Sequence, residues 1–142
     1  MKKIISLMLL EVLFISSCKD DPDPMCKTDV KSISGPYKIT KAIYKVSPTS
    51  SEENYFDILF PDTCLKDNVY TFQTNGTYQF KDSGVVCSPP GNRNGTWSVD
   101  GNNMMVDGDS TVIESFDCRI LVFFSSDIKI TGDKLKVTAV KQ

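Results

Sequence analysis

Val69-Tyr70-Thr71-Phe72-Gln73-Thr74-Asn75-Gly76-Thr77-Tyr78-Gln79-Phe80-Lys81 decides the fold of this 142-residue chain. Two short runs of aromatic and β-branched residues flank Asn75-Gly76, the pattern of an antiparallel hairpin. Two registers compete. A two-residue Asn75-Gly76 loop sets Phe72 opposite Gln79 and Tyr70 opposite Lys81, which mixes apolar and polar side chains on one face. A three-residue loop, Thr74-Asn75-Gly76, sets Phe72 opposite Tyr78 and Tyr70 opposite Phe80. Four aromatics then share one face, and Gly76 takes the left-handed conformation that such a loop needs. The second register is expected.

Six further runs have strand composition: Tyr37 to Val46, Gly95 to Val99, Met104 to Asp107, Thr111 to Phe116, Ile120 to Ile130 and Lys134 to Val140. Glycine, asparagine and aspartate separate them, as tight turns require. A two-residue turn at Gly101-Asn102 pairs Val99 with Met104 and Trp97 with Val106. The same turn type at Gly132-Asp133 pairs Ile130 with Leu135 and Ile128 with Val137. Each choice places apolar neighbours across from one another, worth about 0.2–1 kcal/mol per pair. The turn near Gly108 selects no register. Ser50 to Leu59 reads as one short helix, with Ser50 as N-cap and Glu53 three places on. Eight sequential antiparallel strands with one apolar face predict an all-β, up-and-down barrel, because closure removes exposed edges. A two-sheet sandwich is the competing architecture.

Cys26, Cys64, Cys87 and Cys118 allow three disulfide connectivities. In an up-and-down barrel successive connections alternate between the two ends. Cys26 and Cys118 then fall at one end, and Cys64 and Cys87 at the other. Cys64 and Cys87 are also nearly equidistant from the Asn75-Gly76 turn. This topology favours Cys64–Cys87 and Cys26–Cys118, each worth about 2–4 kcal/mol if unstrained. The same parity puts the long connections, 47–68 and 83–93, together at the end away from the N-terminus. Long loops on a rigid scaffold commonly carry binding.

The N-terminus has its own signature. Met1-Lys2-Lys3 is basic, Ile4 to Ile15 is apolar apart from Glu11, and Ser16-Ser17-Cys18 follows. The apolar run is shorter than the ~20 residues that span a bilayer. The segment resembles the signal peptide and lipobox of bacterial lipoproteins. That resemblance implies cleavage before Cys18, lipidation of Cys18, and acyl chains that hold the protein to the outer membrane. Cleavage leaves 125 residues, with 14 basic against 17 acidic side chains and no basic surface of nucleic-acid-binding type. Lys19-Asp20-Asp21-Pro22-Asp23-Pro24 reads as an extended tether. Lys19-Asp20-Asp21 also resembles the export signal of surface lipoproteins in some Gram-negative bacteria, which implies display at the cell surface. The expected organisation is a signal peptide over 1–17, a lipidated cysteine and tether over 18–34, and a barrel over 35–142.

Gly35-Pro36-Tyr37 occupies the place of the Gly-x-Trp that opens lipocalins. The block from Cys64 to Phe72, Asn75-Gly76-Thr77-Tyr78, Cys87-Ser88-Pro89-Pro90 and Gly95-Thr96-Trp97 resembles the lipocalin-like domain of envelope lipoproteins. Ile128 to Leu135 fits its last hairpin. The resemblance covers Gly35 to Val140 and implies an eight-stranded barrel with a cup for a small apolar ligand. Tyr37 in place of the tryptophan, and Pro36 before it, depart from the pattern.

The chain has no histidine, so it holds no Ser-His or Cys-His catalytic pair and no histidine-ligated metal. No glycine-rich loop enters a helix to cradle phosphate. No catalytic residue, metal or cofactor is expected. The aromatic set Tyr70, Phe72, Tyr78, Phe80 and Trp97 reads either as the lining of a ligand cup or as a filled core, since eight strands enclose just enough room for their own side chains. The leading expectation is a monomeric, non-enzymatic lipoprotein that binds a small hydrophobic molecule through these five residues. Tyr55, Phe56, Ile58 and Leu59 would form its lid. The alternative is a protein-interaction module that uses the 47–64 and 83–93 loops on a packed barrel. An internal cavity opening between those loops separates the two.

Overall fold

The computed structural model describes residues 26–142. The segment expected to be a signal peptide, Cys18, and the Lys19–Pro24 part of the expected tether lie outside the described residues. Eight strands, β1 (Gly35–Lys45), β3 (Val69–Phe72), β4 (Thr77–Lys81), β5 (Arg93–Asp100), β6 (Asn103–Val106), β7 (Asp109–Phe116), β8 (Ile120–Ser126) and β9 (Lys134–Lys141), pair in sequence order. Antiparallel β1–β9 pairing closes the sheet into a barrel. A two-residue strand, β2 (Glu53–Asn54), adds to the upper edge of β1 opposite Ile43 and Tyr44.

The deciding hairpin has the three-residue register: Phe72 faces Tyr78 and Tyr70 faces Phe80. Gly76 has φ +83°, a region that any side chain at Cβ disfavours. The β5–β6 turn pairs Trp97 with Val106 and Val99 with Met104. The Gly108 turn, silent in the sequence, is a two-residue loop with Val106 opposite Asp109. Asp107 and Gly108 both have positive φ, as a type I′ hairpin turn demands.

Two expectations are corrected. β8 ends at Ser126, which faces Lys134; Leu135 faces Ser125 and Val137 faces Phe123. Ile128 and Ile130 are unpaired and about half exposed, at 46% and 52%. The Asp133 carboxylate accepts the amides of Ile128, Lys129 and Ile130 at 2.6–3.1 Å. Those donors are taken from the ladder that a two-residue turn would have needed. The first long connection also carries two single-turn helices rather than one, α2 (Phe56–Leu59) and α3 (Thr63–Lys66). Ser50 does not cap either; its Oγ accepts from Ser47 N and donates to Ser47 O. Tyr55 precedes α2 without a side-chain cap.

Both disulfides form as the topology favours, Cys26–Cys118 and Cys64–Cys87, each with Cα atoms 5.3 Å apart, within the ordinary range. The first pins the segment before the barrel under its closed end. There a one-turn helix, α1 (Val30–Ile33), is capped by Asp29, whose carboxylate accepts Ser32 N at 2.7 Å. Its Ile33 is fully buried among Tyr37, Phe72, Trp97, Met104, Ile113, Leu121 and Ala139. The folded unit therefore begins before Gly35. Trp97 Nε1 donates to Gln73 O at 2.8 Å, so the indole is satisfied while its ring fills this end.

Candidate functional site

Alternation along β1, β3, β4 and β6–β9 turns Tyr37, Ile39, Tyr70, Phe72, Tyr78, Met104, Val106, Thr111, Phe123, Ser125 and Ala139 toward the barrel axis. They line a cavity of about 320 Å³ whose remaining walls are Arg93, Asp107 and Asp109. Asp107 belongs to the β6–β7 turn, and Arg93 and Asp109 begin β5 and β7. All three lie at the end bearing the long loops. The cavity is thus a cup: α1, Phe72 and Trp97 block the floor, and charged residues mark the mouth.

Gly95 explains how Tyr78 is seated. It lies between Arg93 and Trp97 on the inward face of β5, and a Cβ there would overlap the Tyr78 ring and Oδ1 of Asp107. Its absence lets the Tyr78 hydroxyl donate to Asp107 Oδ2 at 2.5 Å, while Thr96 N donates to Oδ1 at 2.9 Å. Burial, and then the bonded Asp107 carboxylate, push the Tyr78 hydroxyl above its ordinary range; nearby Arg93 opposes this. The hydrogen bond from Tyr78, followed by that from Thr96, holds Asp107 below the usual carboxylate range. Burial raises Tyr70 as well. At the floor, burial alone takes Tyr37 to about 12, and its hydroxyl has no hydrogen-bond partner among the described residues. The Arg93 guanidinium stacks 4.9 Å from the Phe80 ring centroid. The cup therefore offers aromatic and aliphatic walls, and its polar groups cluster near the entrance.

Of the five aromatics singled out in the sequence, Tyr70, Phe72 and Tyr78 line this cavity. Phe80 packs edge-on against Tyr70 at 4.8 Å, under Arg93. Trp97 is buried in the closed end. Neither borders the cup. Nor do Tyr55, Phe56, Ile58 or Leu59 cover it: Tyr55 packs on Tyr44 with centroids 5.1 Å apart, Phe56 packs on Phe60, and Ile58 is 61% exposed. Residues on β6–β9, Met104, Val106, Thr111 and Phe123 among them, were missed as lining. Their signal was present as inward parity once the registers were fixed.

A second depression, of about 240 Å³, lies on the outer surface between Lys45, Glu52, Glu114, Lys134 and Lys136. Its charges are largely spent on Lys136–Glu114 and Lys45–Glu52 pairs at 2.8 and 3.7 Å. The cup is the better candidate. Among the described residues, no group of three or more Cys, Asp or Glu is arranged to hold a metal ion.

No curated protein and no solved structure matches the chain. The family model described as "Lipocalin-like domain" matches residues 33–137, from the buried Ile33 of α1 to Val137 of β9. That match agrees with the eight-stranded closed barrel and places the chain in a family: it belongs to the lipocalin-like domain proteins.

Proposed function

We propose that this protein is a non-catalytic carrier or sensor that holds a small, largely apolar molecule in the barrel cup, tethered to the outer membrane through a lipid on Cys18 and displayed at the cell surface. The carrying observation is the cavity of about 320 Å³ inside a barrel sealed at its other end. Its size is within the range of small-molecule sites, and its lining is the usual one for them, aromatic and aliphatic with few polar groups. The ligand-contacting residues are Tyr70, Phe72 and Tyr78, joined by Ile39, Met104 and Phe123. Lipid anchoring rests on the sequence before Cys26. The closed end, where Cys26 is bonded, would face the tether and leave the mouth pointing away from the membrane.

Native mass spectrometry of the protein purified from its own host tests the binding reading. Added mass that is released by denaturation supports it. Bare protein that also fails to bind N-phenyl-1-naphthylamine refutes it. The anchor is tested separately: Cys18→Ser abolishes incorporation of labelled palmitate and releases the protein from membranes.

A further inference from the structure

The open end carries a second feature that the cup does not use. Ile58 and Leu59 on α2, Val85 and Val86 in the 82–92 connection, and Ile128 and Ile130 in the 127–133 connection are all exposed, between 38% and 61%. They come from three connections at the same end of the barrel.

These connections are not loose. Cys64–Cys87 joins the first to the second, and Val85 N donates to Asp67 Oδ2 at 2.8 Å. Asp82, itself buried, accepts Cys87 N and Gly91 N at 3.0 Å. Asp133 organises the third, and Lys129 Nζ reaches Tyr55 Oη to tie it to the first. Six aliphatic side chains are therefore held outward on a braced rim. Six exposed aliphatics gathered at one end of the barrel, unlike single scattered ones, call for an occupant, and preorganised groups lose little entropy on binding.

Charge selects the occupant. The four connections at this end (46–68, 82–92, 107–108 and 127–133), taken with the charged strand ends that flank them (Lys45, Lys81, Arg93, Asp109 and Lys134), hold ten carboxylates against six cations, a net of −4. Lys66 is already paired with Asp57 at 2.7 Å. Residues 26–142 as a whole carry only one more acid than base, 14 against 13. Aliphatic tips in an acidic field complement a basic, apolar protein segment and repel an anionic bilayer.

We infer that the braced rim formed by α2 and the 82–92 and 127–133 connections is a docking surface for a cationic amphipathic protein segment. The inference does not depend on the cup.

The probe is a synthetic leucine–lysine peptide of about 18 residues with helical amphipathic spacing, alongside a scrambled peptide of equal composition. Fluorescence anisotropy reads binding to the full folded domain. Two variants are compared: Ile58→Ser/Val86→Ser/Ile130→Ser, and Glu53→Gln/Asp62→Asn/Asp127→Asn. These positions are exposed, and an unchanged circular dichroism spectrum and urea midpoint verify the fold. The wild type is expected to prefer the amphipathic peptide by about tenfold or more over the scrambled one, and each triple variant to bind it about tenfold more weakly. Equal binding of both peptides, or unchanged affinity in either variant, overturns the proposal. So does flotation of the wild type, but not the aliphatic variant, with phosphatidylcholine–phosphatidylglycerol vesicles, which would make the surface a lipid contact.

Discussion

Tyr44 on β1 donates a 2.6 Å hydrogen bond to Oδ2 of Asp133, 89 residues later in the chain. Asp133 is 1% exposed, and its two oxygens also collect three consecutive amides of the β8–β9 connection. One carboxylate thus shapes that connection and fastens it to the first strand. In Asp133→Asn an NH2 group replaces one oxygen and faces donors it cannot satisfy. The variant is expected to lower Tm by about 5 °C or more and to speed amide exchange at Ile128, Lys129 and Ile130 more than in β3–β6.

The same pair makes stability depend on pH at both extremes. Burial works to raise Asp133, but the hydrogen bonds from Tyr44, Lys129, Ile130 and Ile128 outweigh it and hold the carboxyl at about 2, below its ordinary 3.8. The folded chain therefore prefers the ionised form. This contribution is complete above about pH 4 and is lost as pH falls toward 2. Tyr44 runs the other way: its bond to Asp133, with burial, raises the hydroxyl from 10.0 to about 12. Its contribution is complete below pH 10 and is lost as pH rises to about 12. Tm measured against pH should show a shallower acid limb for Asp133→Asn and a shallower alkaline limb for Tyr44→Phe. Limbs identical to wild type in both variants would refute the coupling.

Gly95→Ala tests how Tyr78 and Asp107 are seated. The new methyl group meets the rigid Tyr78 ring and Asp107 Oδ1, an atom that the bond from Thr96 N holds in place. Tyr78 is 1% exposed and has little room to retreat. Overpacking of this kind costs about 1–3 kcal/mol. Urea unfolding should show a lower midpoint with an unchanged slope. The bond from Tyr78 to Asp107 should also break, so that the Asp107 carboxyl moves up toward its ordinary range in an NMR titration.

Much of this architecture is legible in the residues, for identifiable reasons. The Val69–Lys81 hairpin has only one register that segregates its aromatics, and a shift by one residue moves every side chain to the wrong face. Cysteine pairing follows from strand parity, which depends on strand count and not on detail. The 127–133 connection is opaque because Ile128-Lys129-Ile130 alternates like a strand, while a distant carboxylate takes its amides. Length gives a clue: Ile120 to Ile130 is too long for the partner run Lys134 to Val140. Phe80 and Trp97 have the right parity for the cup, but depth along the barrel axis separates wall from floor, and that depends on shear between strands. Gly95 carries its information by lacking a side chain, so no pattern of apolar residues points to it.

The two disulfides should differ in worth. Cys26–Cys118 closes a sequence separation of 92 residues and Cys64–Cys87 one of 23. In the chain-entropy account the longer loop stabilises by about 1 kcal/mol more. Replacing Cys26 and Cys118 by alanine should therefore lower the urea midpoint further than replacing Cys64 and Cys87. The second pair should instead act locally, accelerating amide exchange in residues 82–92 where the barrel is otherwise intact. Equal midpoints in the two double variants would mean that native-state strain or residual unfolded structure dominates.

Ser125→Phe separates an occupied cup from a merely imperfect core. Ser125 is half-buried on β8, turns inward and borders the cavity, and among the described residues its side chain makes no hydrogen bond that substitution would remove. A phenyl ring there takes up part of the ~320 Å³ and buries apolar surface against neighbours that are already aromatic. If the cavity is a binding site, the variant should bind N-phenyl-1-naphthylamine at least about tenfold more weakly, equivalent to ~1.4 kcal/mol, and should lose co-purifying mass in native spectra. If the space is only a packing gap, filling it should raise Tm with no effect on probe binding. The two outcomes move opposite observables, so a single variant distinguishes them: a lipocalin-like cup is a site when blocking it costs affinity, and a defect when blocking it only adds stability.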